Sequence, residues 1–279
     1  MAKLAEKTEI KAAVKLYCKA KGISQNELAT QLEISPATLS KIENDKWDNI
    51  DAKVWQKIWN KVGYLNNVQT INTKDFAAIQ QLCSFARDNS FMTGLTADTG
   101  MGKTTAVMSY SHITKNTFYV SFDKTMRPRH FFAALLKEMA IQFEGNINEM
   151  VTRIADELNV MDNPLVIIDE AGKLTDTMIT YLQVLKDKTH LTCGYVLAGM
   201  PYFKTKLIKM ANKQREGYAE FYRRINLWHE LEGLSRNEIE FICTQSGVTS
   251  KDQQREFLNK KRFGDLVNAL LLKRLTNHN

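Results

Sequence analysis

Two short clusters in this chain have the residue types and spacing for phosphate chemistry. In the first, Ala97-Asp98-Thr99-Gly100-Met101-Gly102 runs into Lys103-Thr104-Thr105. It follows an apolar, β-prone run from Phe91 and opens a helical pattern. A strand–loop–helix of this kind turns successive backbone N–H groups toward an anion, and the helix N-terminus adds partial positive charge. Ala97, Thr99, Gly100, Met101, Gly102 and Thr105 would supply that cradle, with side chains at the two glycines expected to crowd a phosphate. Lys103 would reach the outer phosphates of ATP, and the Thr104 hydroxyl would sit on Mg2+. Ala97 stands where the G-x-x-x-x-G-K-[ST] pattern has its first glycine. The second cluster is Asp169-Glu170, closing the apolar run Pro164–Ile168 and lying 66 residues beyond Lys103. Acids at the carboxyl end of a buried parallel strand lie where ligands bind in such sheets. Asp169 would orient the metal through water, and Glu170 would polarise an attacking water.

These clusters need a sheet to carry them. Strand-like runs at Phe91–Thr96, Thr117–Phe122, Pro164–Ile168 and Gly194–Ala198 alternate with helical patterns at Pro128–Phe143, Asn148–Asn159 and Asp176–Lys186. Alternation of this kind predicts an α/β fold with a parallel sheet covered on both faces. Tyr218–Asn226 contains Arg223-Arg224 just before a further β-like run. Either arginine suits a finger that reaches a neighbouring subunit's nucleotide, and the sequence does not separate them. Three helical patterns then follow from Ser235, a capping position, through Leu275.

The first 65 residues read differently. Ile10, Val14, Leu16 and Tyr17 mark a first helix, closed at Gly22. Ser24 with Glu27 forms a capping box for a second helix, and Pro36 opens a third after a brief turn. This tight pair of helices predicts a helix-turn-helix. A three-helix bundle used for protein contact is the alternative. Trp47, Trp55 and Trp59 follow at helical spacing and are expected in the core rather than stacked on bases. Polar residues 66–73 read as a linker. The expected divisions are therefore 1–65 for the helix-turn-helix, 74–232 for the nucleotide-binding core and 233–279 for a helical lid.

Composition narrows the classes. A net charge of +7 and a pI of about 9.1 favour an anionic partner such as nucleic acid. No apolar run is long enough to cross a membrane. Four scattered cysteines without C-x-x-C spacing fit reduced thiols in a cytoplasmic protein.

Gly22-Ile23-Ser24-Gln25-Asn26-Glu27-Leu28-Ala29 and the run from Ser35 to Asn44 closely resemble the phage-repressor helix-turn-helix. By that resemblance Gln25, Thr38, Ser40 and Lys41 are the DNA contacts. The phosphate loop, the Asp-Glu strand and the small lid resemble AAA+ ATPases. Joined to the helix-turn-helix, they are similar in layout to the ATPases that select target DNA for transposition, over about Ile10 to Leu275. The resemblance implies ATP-dependent assembly into oligomers or helical filaments on double-stranded DNA, and a partner transposase that stimulates hydrolysis. It also implies a polar sensor after the fourth strand and an arginine after Gly264-Asp265-Leu266. Here those positions are Gly199-Met200 and Val267. If the core wraps a duplex, Lys124, Arg127, Arg129, Lys186 and Lys188 are its phosphate contacts. Competing expectations are an ATP-switched transcription regulator with one preferred operator, and a nucleotide-binding adaptor for protein partners.

Overall fold

The computed structural model describes residues 4–63 and 71–276. Five of the sequence's apolar or β-prone stretches form one sheet: β1 (Met92–Thr96), β2 (Thr117–Ser121), β3 (Leu165–Asp169), β4 (Gly194–Gly199) and β5 (Ile225–Glu230). Every pairing is parallel, in the order β2-β3-β4-β1-β5. β1, β3 and β4 are buried along their whole length. This is why β3 and β4 read as near-continuous apolar runs rather than alternating ones, while β1 buries Thr93 and Thr96 among its apolar residues. At about 1.5–3 kcal/mol for each fully buried aliphatic side chain, β3 alone anchors the acids at its end firmly.

Helices cover both faces. On one side lie α5 (Lys74–Asp88) and α6 (Lys103–Ile113), meeting Leu95, Ile167 and Val196 in one apolar cluster. On the other lie α7 (Pro128–Glu138), α8 (Ile147–Val160) and α9 (Asp176–Lys188), around Phe131, Phe132, Ile168 and Leu197. α10 (Tyr202–Asn212) and α11 (Tyr218–Arg224) follow β4 and complete that second layer. The lid, α12 (Arg236–Gln245), α13 (Lys251–Arg255) and α14 (Phe263–Thr276), has its own core of Leu234, Ile239, Ile242, Phe257 and Leu266.

Ahead of the sheet stand α1 (Leu4–Lys21), α2 (Gln25–Leu32), α3 (Pro36–Glu43) and α4 (Ala52–Val62). Ser24 and Glu27 make the expected capping box. Leu28, Ala29, Leu39 and Ile42 are buried with Trp55 and Ile58, while Trp47 and Trp59 pack against them. Leu16, expected on the inner face of α1, is instead 57% exposed, because the face is set by Ile10, Val14 and Tyr17. Of the stretch read as a linker, residues 66–70 lie outside the described residues. Beyond them Ile71 packs on the lid core, and the buried Thr73 caps α5.

The helix-turn-helix is docked on the sheet layer through charged side chains. Lys21 is buried, and its ammonium donates to the carbonyls of Ser111 (2.8 Å), Thr114 (3.2 Å) and Thr117. The first two end α6, so the cation satisfies carbonyls that the helix leaves orphaned. Burial pushes the Lys21 ammonium down to about 7, with the Glu138 charge opposing that shift. Lys61 pairs with the Glu138 carboxylate (2.7 Å), Lys137 pairs with Glu33 (2.8 Å), and Gln31 donates to the Glu138 carbonyl (2.7 Å). Lys21→Met should leave those carbonyls without donors, at about 1–3 kcal/mol each before water compensates. We expect a loss of about 3 kcal/mol in urea unfolding at constant m. An unchanged midpoint would show that the clamp carries no stability.

Candidate functional site

The loop between β1 and α6 is built around two residues in the left-handed region, Gly100 (φ 81°) and Gly102 (φ 86°). A Cβ at Gly102 would meet nothing within 4 Å, and one at Gly100 would make only an ordinary contact with Gly264. Within this chain, positive φ by itself demands glycine at both positions. Gly102 caps α6 without any side-chain hydrogen bond, so the first N–H groups of the helix face the cleft. Lys103 folds back over the loop, its ammonium donating to the carbonyls of Ala97 (2.6 Å) and Asp98 (2.8 Å). Burial holds that ammonium below the ordinary lysine value, opposed by the charges of Asp169, Glu170 and Asp98.

The two sequence clusters meet across the sheet. The Thr104 hydroxyl donates to Asp169 Oδ2 at 2.7 Å, and Tyr119 donates to the same oxygen at 3.1 Å. Asp169 is buried at the end of β3, and its Oδ1 accepts from the Glu170 N–H at 2.8 Å. Glu170 takes φ 58°, a left-handed conformation that costs a non-glycine residue about 1–2 kcal/mol. That turn leaves its half-exposed carboxylate at the mouth of the cleft, 3.2 Å from Lys173.

Two adjoining cavities share Met101, Gly102, Thr105 and Phe263. One, of about 300 Å³, is lined by the loop backbone, Lys103, Thr104, Asp169 and Glu170. The other, of about 180 Å³, is lined chiefly by Ile71, Phe76, Ile79, Leu234 and Phe263. At its edge the Asp75 carboxylate accepts from the Glu232 and Gly233 N–H groups (3.2 and 2.8 Å). A polar slot beside an apolar one matches the two ends of a nucleotide. Among the described residues no group of three His, Cys, Asp or Glu side chains could hold a metal. The paired Thr104 and Asp169 oxygens nevertheless fit Mg2+, which takes one or two protein oxygens and completes its shell with phosphate and water.

The lid closes over the loop. Arg262 reaches Asp98 (2.7 Å), and the Gly264 N–H donates to the Gly100 carbonyl (2.8 Å). The Thr99 hydroxyl donates to the Met200 sulfur at 3.2 Å. Sequence reasoning missed the apolar slot, Tyr119 and Arg262. The slot draws on residues from Ile71 to Phe263, and no local spacing announces it.

The remaining candidates separate clearly. Arg224 is bound to Asp187 by two bonds (2.8 and 2.7 Å) and to the Glu220 carbonyl. Hydrogen bonding from Arg224 holds the Asp187 carboxyl below the usual range. Arg223 is exposed, with no side-chain partner among the described residues. Ser40 and Lys41 are exposed on α3, while Gln25 and Thr38 are half-buried. Lys124, Arg127, Arg129 and Lys188 are exposed, Arg129 also donating to the Gly145 carbonyl (2.8 Å). Lys186 must be removed from the DNA contacts. It is buried on the face of α9 that carries Leu182 and Leu185, donating to the carbonyls of Ser90 (2.7 Å) and Cys193 (3.1 Å).

Residues 87–207 match the family model described as an AAA domain, and residues 14–58 match one described as a helix-turn-helix. The chain thus carries an AAA+-type P-loop α/β core with a helical lid, behind an all-α helix-turn-helix. No curated protein sequence matches it. Among solved structures it is similar to the ORC2 protein of Aeropyrum pernix in ADPNP-ADP complexes, at 15% identity and TM-score 0.44, over 62% of this chain and 52% of that one. A RuvB mutant from Thermotoga maritima gives 15% and 0.37, over 63% and 51%. Drosophila ORC bound to GC-rich DNA and Cdc6 gives 13% and 0.37, over 71% and 94%. The chain spans about half the length of the first two.

Proposed function

We propose that this protein is an ATPase that binds ATP with Mg2+ in the loop cleft and assembles on double-stranded DNA. The observation that carries the reading is the Thr104–Asp169 hydrogen bond. It unites the phosphate loop, with Lys103, and the acid pair of β3 in one cleft. Lys103 would leave its carbonyl partners for the outer phosphates, and the apolar slot would take the base. Mg2+ held by Thr104, and through water by Asp169, would neutralise phosphate charge. Glu170 would accept the proton of a water attacking the terminal phosphorus, with ADP leaving.

Arg223, rather than Arg224, would complete the site of a neighbouring copy, because Arg224 is already committed to Asp187. DNA would be held by α3 and by the exposed basic residues of the core. The finer reading, regulation of transposition through target-DNA selection and stimulation of a partner transposase, rests on the resemblance of layout alone.

The test is turnover measured against protein concentration with duplex DNA present. Arg223→Ala should lose about 10³-fold or more of the assembly-dependent rate while keeping its ATP affinity. Arg224→Ala should change chiefly stability, by about 1 kcal/mol or less. Normal hydrolysis by Arg223→Ala would rule it out as the finger.

A further inference from the structure

The positive charge of this chain is unevenly placed. Residues 202–224 hold seven Lys and Arg against two Glu, in a chain whose net charge is only +7. Several of these cations are already engaged. Arg215 pairs with Asp176, Arg224 with Asp187, and Lys204 lies over the Trp228 ring. The Lys206 ammonium donates to the Leu174 carbonyl at 3.0 Å. Lys209 and Lys213 have no side-chain partner among the described residues, and both are exposed.

Helix geometry gathers them. Phe203 and Leu207 are buried and fix the inner face of α10. Lys206, Lys209 and Lys213, spaced three and four apart, then fall along a single flank, with Lys213 at the C-terminal cap. Burial lowers the Lys206 ammonium below the ordinary lysine value; Asp176 opposes the shift, and the charges of Arg215 and Lys124 add to it.

We infer that Lys209 and Lys213 form a track for the phosphate backbone of duplex DNA, extending the DNA-binding reading to a helix not assigned in the sequence. The residue types favour nucleic acid over an acidic protein surface. Lysine is depleted in protein–protein interfaces, where arginine and aromatic anchors concentrate, but it serves well as a point charge on phosphate. The one large apolar side chain exposed on α10, Tyr202, lies over Gly172 of its own chain. Contacts of this kind carry no sequence preference. The inference rests on the proposal that the protein binds DNA.

The experiment uses the full chain, wild type and Lys209→Glu/Lys213→Glu, with a labelled mixed-sequence duplex titrated across a salt series, and ATP affinity measured alongside. The track predicts that the slope of log K against log salt becomes shallower by about 1.8, at about 0.9 for each phosphate no longer neutralised. Affinity at low salt should fall at least about tenfold, and ATP affinity should not change. The Lys209→Gln/Lys213→Gln pair should show most of the slope change without the added repulsion. An unchanged slope overturns the track. So does a variant that binds DNA normally but no longer self-associates, since the flank would then meet a second copy. A wild-type protein that binds no duplex would instead defeat the underlying DNA-binding reading.

Discussion

Glu170→Gln should hold ATP as tightly as the wild type and hydrolyse it at least about 10²-fold more slowly, the usual contribution of a positioned general base. The amide is the same size as the carboxylate, so the left-handed turn at this residue has no new steric burden. The bonds that shape the nucleotide cleft do not pass through the Glu170 side chain. Thr104 and Tyr119 donate to Asp169, and Asp169 accepts from the Glu170 backbone, which the substitution keeps. Only the ion pair with Lys173 and the capacity to take a proton disappear. A normal binding isotherm together with near-absent phosphate release is the expected result. Undiminished release at saturating ATP would remove Glu170 from the water-activating role.

Both chemical clusters were legible because each is local. A strand, a glycine turn and a helix start are adjacent in sequence, and the Asp-Glu pair ends an unbroken apolar run. The helix-turn-helix was legible for the same reason, through its capping box and Pro36. Relations between distant elements were not. Arg223 and Arg224 look alike until α9 brings Asp187 against the second of them. Lys186 reads as an exposed cation at the end of its helix because Lys-Asp-Lys-Thr-His is polar. α9 in fact runs to Lys188, and helical spacing carries Lys186 inward with Leu182 and Leu185. The basic α10 follows the turn at Gly199-Met200-Pro201, and its apolar stripe of Phe203, Leu207, Met210 and Ala211 is interrupted by Lys204, Lys206 and Lys209. Docking of the N-terminal helices depends on Lys21, one lysine among many in sequence and distinguished only by the carbonyl ends that surround it.

That docking gives the two halves a physical connection. α6 begins at the residues proposed to bind phosphate and ends at the carbonyls clamped by Lys21. A shift of this helix on nucleotide binding would be felt by the helix-turn-helix, and linkage requires DNA at that end to alter nucleotide affinity by the same factor.

Lys103→Ala should have the broadest effect of any single change. Its ammonium is the side-chain cation lining the loop cleft, and it now rests on the Ala97 and Asp98 carbonyls, ready to exchange them for phosphate. Removing one partner of a buried charge-assisted contact costs about 2–5 kcal/mol, or upward of about 30-fold in affinity. If the grip on the triphosphate also governs association along DNA, assembly disappears with it. Sedimentation velocity of the wild type and Lys103→Ala, each with Mg-ATP and duplex together and separately, tests this directly. Large species should form only from wild type with both ligands present, and the variant should stay small throughout. Equal assembly by the variant, or wild type that stays small with both ligands, would contradict the account.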